Sequence, residues 1–460
     1  MKPIFTFPPP RRRLNNLSTQ NPKNLSKQTE PPHLANKEES TTKPIVFGWV
    51  EIYMKLLQSF SIACLVLPLA AWAVDTSPSA TADRAAVVEG NNAFAMELYG
   101  QLQDRSGNLF FLPESISTAL AMTYAGARGD TASEMAKTLH FTLPADRFHP
   151  AMGALLSNLN AAHDGYQLRV ANALWAQQGY TFLNDFLKLT KTDYGAGLNQ
   201  VDFEDATEAA RLTINRWVEQ KTEDKITNLL PPGSLSSKTK LVLTDAIYFK
   251  GDWQTQFDKT QTNDEDFHLS TAQNVKAPLM HREGGFNYFN GGTFQILEIP
   301  YKSAELSMLV LLPNDVSGLR VLEQSLTSSN MKQWFGQLRQ VPKVVLTLPK
   351  FKMTQQLELR DTLGAMGMPL AFDARADFSG MTANRGLFIS AAIHKAYIDV
   401  NEEGTEAAAA TGIRMMRPTM VRVQTPPIIF LADHPFIFLI RDNRSGGVLF
   451  IGRVTDPTKN

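Results

Sequence analysis

The first half of the chain places apolar residues three and four positions apart, the spacing of amphipathic helices. Three segments show it clearly: residues 91–102 (NNAFAMELYGQL), 116–127 (ISTALAMTYAGA) and 205–222 (DATEAARLTINRWVEQKT). Asp205 opens the third segment and belongs to the residue types that cap helix N-termini. The pattern therefore predicts three helices, with Asp205 as a helix cap and the folded region starting near Asn91.

Seven other segments have the pattern of strands, and several of them are apolar on both faces, which is typical of strands buried in a covered sheet. They are residues 166–176, 240–249, 294–301, 306–313, 343–353, 435–442 and 447–454. The last two are joined by the short stretch 443–447, which overlaps the start of the second segment, and this predicts a hairpin. Since no linker interrupts the alternation of helical and strand patterns, we expect one large α+β domain over residues 91–460 with a central sheet packed against helices.

The N-terminal region differs from the rest of the chain. Residues 1–53 contain eight prolines and an arginine triplet, and we interpret them as a disordered extension or a misassigned upstream start. Residues 54–73 combine Met54 and Lys55, an apolar stretch from Phe60 and the small residues Ala71 and Ala73, the pattern of a signal peptide. A short linker over 74–90 would follow. The sequence thus predicts export, to the extracellular space or the periplasm.

Composition narrows the possible partners and chemistry. The 460 residues include 45 basic and 45 acidic side chains, so no net charge attracts nucleic acid or an anionic membrane. Phosphate-binding glycine loops and HExxH, GxSxG and CxxC motifs are absent from the sequence, and the eight histidines are scattered. We therefore expect no metal and no cofactor, although a catalytic triad assembled in space stays open. The only cysteine, Cys64, lies inside the signal-like segment, so no disulfide is expected.

One segment reads poorly as a helix. Residues 402–416 (EEGTEAAAATGIRMM) contain four consecutive alanines bracketed by glycines and threonines, which weaken helices. As a strand, its alternate positions fall into two sets. One set is uncharged: Thr405, Ala407, Ala409, Thr411, Ile413 and Met415. The other carries both charges: Glu406, Ala408, Ala410, Gly412, Arg414 and Met416. The uncharged face could be buried without burying a charge, whereas a shift of the strand register by one residue would bury Glu406 and Arg414. A surface helix or a linker is the alternative interpretation.

Eight stretches in one order resemble the serpin family and together span most of the region after residue 90. They are residues 108–135, 214–243, 246–257, 297–315, 348–351 (LPKF), 376–382 (ADFSGMT), 393–412 and 432–454. The resemblance implies a single domain of three β-sheets and about nine helices, with an exposed reactive-centre loop at about 402–425.

The resemblance also implies a function. A serine protease, or alternatively a cysteine protease, would attack the loop and be trapped as a covalent acyl-enzyme when the cut loop inserts into the central sheet. The hinge would comprise Glu402, Gly404 and residues 405–411, which contain no proline and one charge, Glu406. The protein would then be a monomeric inhibitor and not an enzyme. A non-inhibitory member acting as carrier or chaperone is the alternative.

Five residues match positions that the family uses to open its sheet. The resemblance places Trp253 and a Lys350–Glu402 ion pair at the top of the sheet, and Ser115 and His394 lower down. Asp245 stands where the family usually has asparagine, and Leu112 where a serine is usual. A buried Asp245 would need a partner; we expect His394, and a protonated His394 would make sheet opening depend on pH.

The scissile bond is less well defined. Fourteen residues beyond Gly404, the family's usual count, give the bond between Pro418 and Thr419, although proline suits few serine proteases. Arg417 and Met416 are the alternatives, and the loop is about four residues longer than in many relatives. We expect the bond within 415–420, where Met415 or Met416 would suit a chymotrypsin-like or elastase-like protease. Arg414 or Arg422 would suit a trypsin-like protease, whereas the bond after Arg417 resists one because proline follows.

Overall fold

A computed structural model describes residues 77–161, 163–195, 197–384, 386–405 and 426–460. The interpretations of residues 1–53 and 54–73, and those of hinge and loop residues between 406 and 425, lie outside this part of the chain. The described helices are α1 (Pro78–Leu102), α2 (Pro113–Tyr124), α3 (Gly129–Thr138), α4 (Ala145–Asn160), α5 (Asn184–Tyr194), α6 (Thr207–Lys221), α7 (Leu319–Gln324), α8 (Ser328–Gly336) and α9 (Arg360–Met366). Two 3₁₀ turns, Lys259–Gln261 and Pro369–Phe372, complete the helical elements of the described residues.

The strands belong to two hydrogen-bonded sheets. They are β1 (Leu109–Phe111), β2 (Tyr166–Gln177), β3 (Leu198–Val201), β4 (Leu241–Asp252), β5 (Asn263–Ser270), β6 (Gln273–Asn290), β7 (Phe294–Pro300), β8 (Leu306–Pro313), β9 (Arg339–Pro349), β10 (Phe351–Glu358), β11 (Ile389–Val400), β12 (Gly404–Thr405), β13 (Ile428–Leu431), β14 (Phe436–Asp442) and β15 (Val448–Val454). The central sheet has the order β10-β11-β12-β4-β2-β3. The second sheet runs β1-β15-β14-β8-β7-β6-β9-β13, with β5 paired to β6.

In the described residues the strands form two hydrogen-bonded sheets, where the family resemblance implies three, and the second sheet is the larger. Its strand β6 is long enough to pair with β5 over 273–279, with β9 over 279–288 and with β7 over 287–290. The register shifts between Gly284 and Phe286, where two successive glycines allow the strand to bend. The α+β architecture of a single domain with mixed sheets is confirmed, and nine α-helices lie in the described residues.

Helix α1 corrects the predicted linker over 74–90. The helix begins at Pro78, where a proline at the first helical position needs no hydrogen-bond partner for its nitrogen. Ser77 caps it by accepting a hydrogen bond from the Ala80 amide at 3.3 Å. Val87 and Val88 are buried in the core. Residues 78–90 are therefore part of the first helix, which the polar start of the segment concealed.

Asp205 is not the cap of the third predicted helix. That helix, α6, begins at Thr207 and has Ala206 at its N-cap position without a side-chain cap. The Asp205 amide instead donates to Asp202 at 3.0 Å, and the Glu204 amide donates to the same carboxylate at 3.1 Å. The carboxylate of Asp202 thus stabilises the turn that precedes the helix and leaves Asp205 within the turn.

The central sheet is covered on both faces. Side chains of β4 and β11 on one face, including Val242 and Ala391, pack against α6. Those on the other face, including Ile247 and Ile398, pack against the second sheet. This two-sided burial explains why the strand sequences are continuously apolar. No helix in the described residues is long and apolar enough to cross a membrane.

Candidate functional site

The seam between β4 and β11 is the feature around which the predicted site residues gather. The two strands are parallel and pair over eight residue pairs, from Leu241 with Ile389 to Tyr248 with Tyr397. Beyond these pairs β12 lies between them and is antiparallel to both. Thr405 pairs with Gly251 of β4 and with Val400 of β11. The seam therefore opens at one end and already contains the start of an additional strand.

Gly404 enters the seam at a point with no room for a side chain. A Cβ atom on Gly404 would lie 2.0 Å from the backbone oxygen of Gly251. The Gly404 amide donates to the side-chain oxygen of Asn401 at 3.3 Å, and its own carbonyl accepts from the Asn401 amide at 2.8 Å. Glycine at this position lets the backbone pass close enough to β4 to start pairing.

Thr405 is fully buried on the face of the sheet that meets the second sheet. Its hydroxyl lies 2.9 Å from the hydroxyl of Tyr301, and burial raises the pKa of Tyr301. The Tyr301 ring stacks on Trp253 with centroids 4.7 Å apart. The indole Nε1 of Trp253 donates to the Asn401 carbonyl at 2.9 Å. These contacts hold the first two residues of β12 from three sides.

Glu402 anchors the chain just before β12. Its carboxylate accepts from Lys350 Nζ at 3.0 Å and from the Thr262 hydroxyl at 2.8 Å. Burial acts to raise the pKa of Glu402, but the hydrogen bonds from Lys350, the backbone and Thr262 outweigh it and the pKa is lowered. The structure therefore brings together Trp253, Lys350 and Glu402, which the family resemblance grouped at the top of the sheet.

A second polar group lies lower in the seam. Asp245 and His394 are directly paired residues of β4 and β11, and both are buried. His394 Nδ1 lies 2.8 Å from Asp245 Oδ2, and the Ser115 hydroxyl donates to Asp245 Oδ1 at 2.6 Å. The Leu112 amide donates to His394 Nε2 at 3.3 Å, so Nε2 is an acceptor and the proton is on Nδ1. A neutral His394 therefore donates to the Asp245 carboxylate across the seam.

Sequence reasoning missed four residues of this site. Tyr301 contacts Thr405, and the Thr262 hydroxyl donates to Glu402. The Asn401 carbonyl accepts a hydrogen bond from the Trp253 indole, and the side-chain amide of Asn172 donates to the Ser115 hydroxyl at 3.1 Å. Tyr301 was visible as the residue that ends the apolar segment 294–301, since a tyrosine at a buried strand end requires a polar partner. The other three carried no signal, because their partners are distant in sequence.

The remaining predicted residues lie outside the described residues. They are Glu406, Ala407, Ala408, Ala409, Ala410 and Thr411 of the hinge, and Met416, Arg417, Pro418 and Thr419 around the scissile bond. Their roles stay predictions. Within the described ranges, no group of three or more His, Cys, Asp or Glu side chains is arranged to hold a metal ion.

The fold and the seam define a class of protein, an α+β domain in which a short chain segment starts an extra strand in the central sheet. The described chain resumes at Pro426, 21 residues after Thr405, and leads into β13 at the edge of the second sheet. Residues 89–457 match the family model described as "Serpin (serine protease inhibitor)". The chain belongs to the serpin family.

Individual relatives agree with this assignment. The chain is 41% identical over 376 residues to the leukocyte elastase inhibitor of Bos taurus, covering 80% of this chain and 98% of the relative. It is 39% identical over 390 residues to Serpin B3 of Homo sapiens, covering 80% and 99%. The crystal structure of Serpin48 from Tenebrio molitor superposes with a TM-score of 0.72 at 34% identity, covering 80% of this chain and 98% of that one. Serpins are protease inhibitors rather than catalysts, and a protease is the partner that this membership supports.

The comparisons overturn the predicted localisation. The similar leukocyte elastase inhibitors and Serpins B3 and B4 are clade B serpins, which are intracellular and lack signal peptides. The expectation of export to the extracellular space or the periplasm is therefore wrong, and the comparisons give no support to a signal peptide at residues 54–73. An apolar stretch flanked by small residues is a pattern of composition, which does not by itself establish processing.

Proposed function

We propose that the protein is a suicide-substrate inhibitor of serine proteases, with cysteine proteases as an alternative target. The protease serine would attack the carbonyl carbon of the residue before the scissile bond and form an ester, while the new amino terminus leaves with the C-terminal part of the loop. Insertion of the cut segment between β4 and β11 would then carry the attached protease away before water hydrolyses the ester. The observation that carries this proposal is β12, which already pairs with both strands of the seam.

The register of β12 supports insertion of the following residues. In an antiparallel pair each step forward in one strand is a step back in the other. Continuing from Thr405 with Gly251 sets Thr411 opposite Asp245, and continuing from Thr405 with Val400 sets Thr411 opposite His394. Asp245 and His394 are themselves paired, so the two registers agree without adjustment.

The same register defines which side chains would be buried. Because Thr405 is buried against the second sheet, Ala407, Ala409 and Thr411 would point the same way. Glu406 and Arg414 would point to the opposite face. The segment could thus enter the core without burying a charge on that side, as the sequence pattern predicts.

The register also limits where the bond can lie. Met415 would reach Leu241, the first residue of β4. A cut before Met415 would leave the new strand shorter than the seam, whereas a cut within 415–420 allows a strand that spans it. This length supports the predicted interval but does not choose between Met416, Arg417 and Pro418.

One experiment tests the proposal directly. The protein is incubated separately with leukocyte elastase, chymotrypsin, trypsin and papain, and each mixture is run on a denaturing gel. With at least one enzyme we expect a band at the summed mass of protein and protease less the mass of the released C-terminal peptide. The first residue of that peptide identifies the bond. The same protease with its nucleophile chemically blocked is the control and should give no such band.

Two other outcomes would contradict the proposal. If every protease degrades the protein without forming the stable band, the chain is a substrate and not an inhibitor. If no protease cuts the loop or is captured, the carrier or chaperone alternative gains support.

A further inference from the structure

Strand β13 is an edge strand with an unusual surface. In the described residues it pairs only with β9, in parallel, from Ile428 with Val344 to Leu431 with Thr347. Its four residues, Ile428–Leu431, carry no charge. Edge strands usually carry lysines or other charges because an open apolar edge invites pairing with other chains. This edge lacks that protection.

The side chains of β13 alternate between the core and the surface. Phe430 is fully buried and fixes the strand to the core. Ile429 and Leu431 point the other way and are 56% and 39% exposed, two of the few large apolar side chains with such exposure among the described residues. Burial of Phe430 therefore forces the exposed pair to face outward, since neighbouring residues of a strand lie on opposite faces.

The exposed pair lines a groove of about 660 Å³ with both apolar and polar walls. Leu312 and Pro313 from the end of β8 contribute apolar surface, and Tyr288 of β6 contributes a hydroxyl. Asp433 and His434 also line the groove. His434 lies 2.8 Å from Asp433 Oδ1 and 2.8 Å from the Pro313 carbonyl oxygen, which joins the segment after β13 to the end of β8. The groove is thus a fixed part of the fold.

We infer that this surface, Ile429 and Leu431 with the adjoining groove, is a docking site for the target protease outside its active-site cleft. The inference rests on the proposed function. The loop leads directly into β13, and residues 415–420 lie 8 to 13 positions before Ile428. An extended chain covers about 3.5 Å per residue, so the scissile bond lies within roughly 28–45 Å of β13.

The distance from the scissile bond to β13 is no larger than the diameter of a typical protease. A globular protease of roughly 230 residues has a radius of gyration of about 17 Å and hence a diameter of about 45 Å. A body of that size bound across the loop lies against the sheet edge from which the loop continues. Apolar contacts of Ile429 and Leu431 with its surface would stabilise the encounter complex before cleavage, which affects the rate of association.

The test uses the full-length double variant Ile429→Lys with Leu431→Lys, because lysine is well tolerated at sheet edges. Val321→Lys is the matched control: Val321 is 65% exposed on α7 and does not line the groove. The second-order rate constant for inhibition and the number of inhibitor molecules consumed per protease are measured with whichever of elastase, chymotrypsin, trypsin and papain the wild type captures. Melting curves of all variants establish that the fold is intact.

We expect the double variant to associate with the protease at least about tenfold more slowly than the wild type, which corresponds to the loss of roughly one strong contact. The number of inhibitor molecules consumed per protease should not change. An association rate within twofold of the wild type, or an equal loss in Val321→Lys, overturns the inference. A wild type that is dimeric in solution and becomes monomeric on substitution also overturns it, since the surface would then bind a second copy. Failure of the wild type to capture any protease refutes the proposed function. This outcome differs from failure of the docking inference, because wild type and variants would then fail alike.

Discussion

At the scale of single residues, the most distinctive feature is the hydrogen bond between His394 and Asp245. It joins the two strands that must separate if a loop is to insert, and it lies where insertion would place Thr411. Ser115 supports it from α2 by donating to the same carboxylate. With a neutral histidine the bond is a single charge-assisted contact.

This arrangement predicts that Asp245 slows opening of the seam. Asparagine at position 245 can still accept the hydrogen bond from His394, but it lacks the charge that makes the contact with a carboxylate roughly twice as strong. The Asp245→Asn variant should therefore open more readily and consume fewer inhibitor molecules per protease captured. Adding increasing amounts of each protein to a fixed amount of protease measures this ratio, and an unchanged or larger ratio in the variant would refute the prediction.

The Lys350–Glu402 pair leads to a second prediction. Replacing Lys350 by methionine leaves the nearly buried Glu402 carboxylate with fewer partners, which should destabilise the protein by about 1–3 kcal/mol in urea unfolding. Because the pKa of Glu402 is lowered in the folded state, the stabilisation is present above the ordinary carboxyl pKa and disappears as pH falls through the lowered value. The stability gap between wild type and Lys350→Met should therefore shrink below about pH 4.

Lys350→Arg is the control for this measurement. It retains a cation within reach of Glu402 and should keep most of the stability. A gap that stays constant down to acid pH would show that Lys350 contributes through packing of its aliphatic stem and not through charge.

At the scale of elements, β12 is the described strand that tests the alternating pattern predicted from residue 405 onward. Only two residues form the strand, yet the burial of Thr405 specifies which face each later residue would take. Ala409 would face the second sheet opposite Ile247, whereas its neighbour Ala410 would face the other side. Substitutions one residue apart should consequently have unequal effects.

We expect Ala409→Glu to convert the inhibitor into a substrate and Ala410→Glu to retain more of its inhibition, because the register sets residue 410 beside the half-buried Lys395 of β11, which can pair with a carboxylate. A carboxylate at 409 would have to enter the core without a partner, which slows insertion so that hydrolysis of the acyl-enzyme wins. Densitometry of stable complex against cleaved protein on denaturing gels measures the difference. Equal loss in the two variants would mean that the inserted register is not the one that β12 begins.

The elements differ in how far the sequence could predict them. The long strands of the central sheet and helix α6 were recognisable because their apolar periods are strong and extend over many residues. Helix α1 was missed over residues 78–90, where small and polar residues mask the period until Val87. The sequence pattern placed Thr405 on the uncharged face of a strand, but the pairing of β12 in the uncut chain could not be predicted, since a two-residue strand has no period and exists only because β4 and β11 part around it. Partners such as Asn172 and Tyr301 depend on contacts that only the folded chain creates.

At the scale of the whole molecule, the seam between β4 and β11 leaves the central sheet without the further strand that could pair with both. Insertion as far as Met415 would exchange the eight pairs between β4 and β11 for two ladders along an eleven-residue strand from 405 to 415. The sheet would gain roughly ten hydrogen bonds, each with a net contribution of about 1 kcal/mol. Under the proposed mechanism the native arrangement would then be less stable than the cleaved one, and this difference would supply the driving force that moves a captured protease.

This difference predicts that cutting the loop stabilises the protein. A net gain of roughly 10 kcal/mol, set against an unfolding entropy of about 0.8 kcal/mol/K for a domain of this size, raises the melting temperature by about 12 °C. Calorimetry before and after limited cleavage within residues 415–420 measures the shift, with both fragments kept in the sample. The Ala409→Glu variant, cut in the same way, provides the comparison. Its segment cannot insert without burying a charge, so its melting temperature should rise by much less, and an equal rise in both proteins would show that the stabilisation does not come from a new strand in the seam.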